Sequence, residues 1–173
     1  MFDRPSRSLP LLALLFIVPQ SLFVIGDYIA VGLRFPLFRV QLVFQGITQP
    51  DGSLTTAITP SIITIIKEIQ FIPSGMVGPV FGRTAVATYV WLAGLIVLLA
   101  AAALVISWQV LDNPDHSRYP GPLIFLAGGL FLVWAVIQFG VFFSGPVGYS
   151  IPVGVPFLWY SGYQLIQATK IRE

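Results

Sequence analysis

Ala85 to Val110 reads AVATYVWLAGLIVLLAAAALVISWQV and carries no charged side chain. Wound as an α-helix it is roughly 39 Å long. The hydrocarbon core of a bilayer is about 30 Å thick and takes about 20 apolar residues to cross. A core helix of a water-soluble domain shows a polar face over such a length, and this stretch has none. It reads as a membrane span, with Trp91 and Trp108 near its two ends, where indole rings sit at membrane interfaces.

The composition agrees. Of the 173 residues, 56% are hydrophobic and 9% are charged, and the mean hydropathy is +0.87. A water-soluble domain carries about 25% charged residues. The net charge of +2 comes from scattered basic residues and gives no nucleic acid a footprint. There is no cysteine, which excludes disulfides, thiolate metal sites and thiol redox chemistry.

On the N-terminal side, Leu9 to Ala30 comes after Arg4 and Arg7 and is longer than a signal-peptide core. It is expected to be an uncleaved first span (about residues 9–30), kinked at Pro19 and Gln20. The next segment, 34–84, is expected to be external. Leu37 to Gln45 alternates and is rich in β-branched and aromatic residues, so it reads as a strand, and Gln49-Pro50-Asp51-Gly52-Ser53 supplies a turn. Ile62 to Ile72 carries Lys67 and Glu68, which are costly at mid-membrane. An interfacial or re-entrant helix is therefore expected there, in preference to a crossing by 58–81.

On the C-terminal side, Leu111 to Gly121 is a proline-set loop and Pro122 to Phe143 is a further uncharged span. Ser144 to Pro156 holds Pro146-Val147-Gly148 and Pro152-Val153-Gly154 and reads as an extended entry to a last short span over about 151–169. The expected fold is an all-α, four-span membrane bundle in a single domain, 1–173. Both termini lie in the cytoplasm of a plasma-membrane protein, with Arg4, Arg7, Arg118, Lys170 and Arg172 on that side and Arg34, Arg39, Lys67 and Arg83 outside. The layout resembles the tetraspan claudin-like arrangement, without the tryptophan-rich, paired-cysteine signature of that family's first loop. Such a likeness of layout implies no function.

Few residues carry chemistry. Asp27, late in the first span, is either an intramembrane ion or proton carboxylate or a structural partner of Arg34, Arg39 or Arg83. Lys67 and Glu68 point about 100° apart on a helix and offer a wet, partner-docking edge. Asp112, Asp115 and His116 share a proline turn, where cap and turn roles outweigh metal binding. One histidine excludes bis-His haem ligation and His-rich catalytic metal sites. Close helix packing is expected at Ala100, Ala101, Ala102 and Ala103 on the second span and at Gly128, Gly129 and Ala135 on the third. No cofactor or metal is expected. These features point to a non-catalytic membrane subunit or scaffold packed against other membrane chains or its own copies. The alternative is a small oligomeric transporter or channel that uses Asp27, with a membrane enzyme a distant third.

Overall fold

The computed structural model describes residues 8–26, 30–49, 52, 54–71, 79–111, 114–145 and 148–170. In chain order these form α1 (Ser8–Ile17), β1 (Ser21–Ile25), β2 (Ala30–Arg34), β3 (Phe38–Thr48), β4 (Leu54–Thr64) and α2 (Ile65–Phe71). Then come α3 (Pro79–Val110), a 3-10 turn (Pro114–Arg118), α4 (Pro120–Phe139), β5 (Ser144–Gly145), β6 (Gly148–Ile151) and α5 (Val155–Lys170). The strands join in one six-stranded antiparallel sheet of order β4-β3-β2-β1-β6-β5. The expected all-α bundle is thereby corrected: the molecule is a helical bundle with a full sheet set against it.

The largest correction falls on the expected span 9–30. Its helix stops at Ile17, because proline disfavours the helical conformation in the residue before it and Pro19 breaks the ladder. The chain re-emerges at Ser21 as β1, and Arg34 closes β2. Gln20 is the joint between helix and strand. Its side-chain amide donates to the otherwise unpaired carbonyls of Leu15 (3.3 Å) and Val18 (3.1 Å), its backbone N–H donates to Arg34 O (2.7 Å), and its carbonyl accepts from Gly154 N–H (3.0 Å). A Cβ at Gly154 would lie 2.6 Å from both Pro19 O and Gln20 Oε1, so only glycine lets α5 begin there. One buried glutamine thus ties α1, the sheet and α5 together.

The strand expected at 37–45 is present as Phe38–Thr48, and of the expected turn at 49–53 the described residues are Gln49 and Gly52, with Gly52 N–H donating to Gln49 O and Gly52 at φ 81°. The next segment departs from the expected interfacial or re-entrant helix. Residues 54–64 pair with β3 along their whole length, and only Ile65–Phe71 is helical. Thr64 caps this short helix, its hydroxyl accepting from Lys67 N–H at 3.5 Å. The extended entry expected at 144–156 is the β5–β6 hairpin, with β6 paired to β1.

The three remaining spans hold as helices with shifted ends. α3 and α4 are long and apolar enough to cross a membrane, and less than half of each is buried within the protein. Their inward stripes pack Trp91, Leu98, Ala101, Val105, Ile124, Ala127, Phe131 and Ala135 into one core. Small residues set the spacing: a Cβ on Gly94 would meet the Phe131 ring at 2.8 Å, and one on Gly121 would meet Ile166 Cγ1 at 2.6 Å. The outward stripe of α3 (Tyr89, Ile96, Leu99, Ile106, Val110) is also apolar.

The neighbouring glycines of α4 separate cleanly. A Cβ on Gly128 would meet the Trp159 indole at 2.8 Å, whereas one on Gly129 meets nothing within 4 Å. Gly128→Ala is expected to cost about 1–3 kcal/mol through overpacking. Gly129→Ala is expected to be neutral or to gain up to about 1 kcal/mol of helix propensity. Thermal unfolding of both variants in the same detergent checks this, and equal effects would contradict the assigned helix face.

Candidate functional site at the junction of sheet and bundle

Residues directly opposite in a sheet share a face, and successive residues alternate. The pairings therefore put Arg39, Gln41, Gly32, Arg34, Phe23, Ser21 and Ser150 on one face, and Val40, Leu42, Val31, Leu33, Leu22, Tyr149 and Ile151 on the other. The polar set faces the helices. Arg34, Ser21, Ser150 and Gln41 are buried, while Leu42, Leu33 and Ile151 are exposed. The face turned to the bundle thus carries its charged and polar side chains together with Phe23, Ile25, Ala30 and Val43, while Val24 is the buried residue of the other face.

The cause lies at Arg34. It stands opposite Arg39 in the β2–β3 ladder, and like charges in that position repel. Glu68, in the first turn of α2, answers both. Its Oε2 pairs with Arg34 Nη2, and its Oε1 lies 3.1 Å from Arg39 Nε. The second contact is an ion pair off the hydrogen-bonding direction, for neither Arg39 Nε nor Glu68 Oε1 makes a hydrogen bond. Two cations share one anion.

The excess positive charge meets aromatic faces. Arg34 Cζ is 4.3 Å from the centre of the Trp91 ring and 4.7 Å from that of Trp134, and the two indoles stand edge to face at 72°. Ring quadrupoles attract a desolvated guanidinium in this position by about 2 kcal/mol each. Trp91 also donates its indole N–H to Pro36 O at 3.0 Å, which holds the β2–β3 turn against α3. Trp91 is therefore a core anchor, not the interfacial ring expected from its place near the end of the span. Burial pulls the Arg34 pKa down to about 10, with the neighbouring Arg39 adding to the shift and Glu68 opposing it. Because the folded pKa of this base stays lowered even with Glu68 beside it, the buried charge opposes folding at every pH below about 10, and the surrounding packing must offset it. The recess beside the cluster, between Phe35, Pro36, Ile63 and Trp91, has no room for a water-sized sphere. The cluster is a clamp, closed to ligands.

Of the residues singled out from sequence, Arg34 and Glu68 come together here. Asp27 lies outside the described residues, and so does the side chain of Arg83. Lys67 is exposed, whereas Glu68 turns inward and so does not form a docking edge with it. Ala101, Ala102, Ala135 and Gly128 are buried helix contacts, while Ala100 and Ala103 face outward and Gly129 touches nothing. Gln20, Trp91 and Trp134 were missed as junction residues, although Pro19 followed by Gln20 and Ser21 was a polar break in the middle of the first apolar run.

At the other end of the bundle, Ser107 Oγ lies 2.8 Å from His116 Nδ1, a nucleophile–base spacing that the sequence did not suggest. The surroundings do not suit acyl transfer. The end of α3 presents carbonyls, and the first turn of α4 has lost two N–H donors to Pro120 and Pro122, so neither helix end supplies an array of backbone donors for an oxyanion. Asp112 and the side chain of Asp115 lie outside the described residues. Among the described residues, no group of three or more His, Asp or Glu side chains could hold a metal. No protein-family model matches the chain, and no curated protein matches its sequence.

Glu68→Gln keeps the shape and removes the charge, leaving a buried cation without its anion, and is expected to cost about 3–5 kcal/mol. Lys67→Gln, one residue away and exposed, is expected to stay within about 0.5 kcal/mol of the parent. Chemical unfolding followed by tryptophan emission reads both, and an effect at Lys67 equal to that at Glu68 would contradict the clamp.

Proposed function

We propose that the chain is a non-catalytic, multi-pass membrane subunit whose sheet is a docking platform held on one side of the bilayer. The observation that carries this reading is the outward face of the sheet, where Leu33, Leu42, Leu54, Ile58, Ile62 and Ile151 are exposed and no described residue is charged, a surface that suits a protein partner. The apolar outward stripes of α3 and α4 suit lipid contact, since a helix that is hydrophobic all round belongs in a core or a membrane. α5 shares the bilayer with them and the sheet lies on the outer side, with the C-terminus cytoplasmic in line with Lys170 and Arg172, whereas α1, at ten residues and roughly 15 Å, is too short to cross. The alternative of a small transporter or channel rests on Asp27, which lies outside the described residues, since α4 and the 85–110 stretch of α3 hold no charged group.

Two measurements test the reading. In a chain without native cysteine, Thr55→Cys in β4 and Ser117→Cys between α3 and α4 are expected to react with an impermeant maleimide from opposite sides of the membrane. Reaction from the same side would contradict the proposed topology. The native mass in mild detergent is expected to exceed that of one 18.9 kDa chain, and a lone chain would contradict the subunit role.

A further inference from the structure

We propose that Arg39, Gln41 and Ser61 form a binding site for a phosphate group on the bundle-facing side of the β3–β4 ladder. The site goes beyond the docking reading above, which concerns the other face of the sheet. Arg39 and Gln41 are alternate residues of β3, and Ser61 of β4 pairs directly opposite Gln41. The three side chains therefore leave one face, with neighbouring Cβ atoms roughly 5–7 Å apart.

Charge calls for an anion. The clamp holds two guanidinium groups and one carboxylate, which leaves one positive charge unmatched. Arg34 is sealed between the carboxylate and two indoles, so the surplus falls on Arg39, whose side chain is 22% exposed. Its Nε is buried and makes no hydrogen bond, because the Glu68 contact lies off the hydrogen-bonding direction.

Gln41 is an independent sign. The residue is only 9% exposed, yet its Oε1 is buried without a hydrogen-bond partner. An unpaired buried amide costs free energy, which favours any ligand that pairs it. Gly32 stands opposite Gln41 and brings no side chain to that place. Phe23 lies over it: a Cβ on Gly32 would be 2.8 Å from Phe23 Cζ, and the Phe23 ring is 6.0 Å from Arg39 Cζ. The closed recess of the clamp is a different place. It is lined by Phe35, Pro36 and Phe38 at the β2–β3 turn, whereas Gln41 and Ser61 lie on the other side of Arg39, toward the tip of the hairpin.

The donor set selects phosphate over carboxylate. A carboxylate has two oxygens, and a guanidinium fork alone satisfies both. A tetrahedral phosphate has further oxygens, which take the Ser61 hydroxyl and the Gln41 N–H2 once that amide turns by half a rotation. A phosphodiester carries the single negative charge that balances the clamp. A lipid headgroup and free phosphate offer the same chemistry.

The unfolding temperature of the full chain, in mild detergent at fixed ionic strength, tests the site. The probes are inorganic phosphate, a short-chain phosphatidylglycerol and the matching diacylglycerol, which lacks the phosphate. A phosphate-bearing probe is expected to raise the unfolding temperature saturably, and the diacylglycerol is expected to leave it unchanged. Saturation by inorganic phosphate shows that the free anion suffices, and saturation by the phosphatidylglycerol alone assigns the site to a lipid headgroup. Arg39→Gln and Gln41→Leu are each expected to raise the half-saturating concentration by about tenfold or more, and Lys67→Gln by less than about twofold. Should Gln41→Leu misfold, Ser61→Ala takes its place, with the same direction expected. No shift with either phosphate-bearing probe, or equal half-saturation in Arg39→Gln and the parent, overturns the site and leaves the docking reading standing.

Discussion

A single buried guanidinium organises the molecule. Arg34 closes β2, points into the corner of two indoles and is matched by a carboxylate 34 positions further along the chain. Removing a cation from water costs several kcal/mol even after relaxation, and the site is stable only while the carboxylate and both rings stay in place. That requirement fixes four elements at once. α2 must present Glu68, α3 must present Trp91, α4 must present Trp134, and the β2–β3 turn must bring Pro36 O to the Trp91 N–H. The Gln20 joint does the same work by hydrogen bonds for α1 and α5, without charge.

The polarity of the sheet is set by this clamp. Period-2 alternation means that once Arg34 and Arg39 face the helices, Gln41 must face them as well, and Val40, Leu42 and Leu33 must face away. A one-residue slip in register would bury the apolar row and expose the charges, at the cost of the Arg34–Glu68 pair and the Trp91 contacts. The outward row of Val40, Leu42 and Leu33 is thus a consequence of anchoring the sheet through charge.

Much of the bundle was legible in the sequence because length and unbroken apolarity suffice to define α3 and α4. The Gln49–Ser53 turn and the proline-broken entry to α5 were legible because glycine and proline act locally. Leu9 to Ala30 was misread, since a buried apolar strand and an apolar helix look alike when both faces are covered. Pro19 carried the needed signal, but a kink and a termination are chemically the same event seen from one side. β4 went unseen because its Thr-rich alternation is weak and it merges into a short helix at Ile65. The Arg34 site was half legible. The sequence supplied Arg34 and Glu68 as charges in need of partners, but their pairing is long-range, and Trp91 looked like an interfacial ring because nothing local distinguishes a belt tryptophan from a cation's partner.

The most direct test of this account is the coupling energy between Arg34 and Glu68, measured by a double-mutant cycle on unfolding free energy with Arg34→Met, Glu68→Leu and the double variant. The clamp predicts that each single change is strongly destabilising, and that the double variant costs less than the sum of the two by about 1.5–3 kcal/mol. Additive effects, with a coupling near zero, would show that the two charges do not depend on each other and would contradict the clamp as the constraint that orients the sheet.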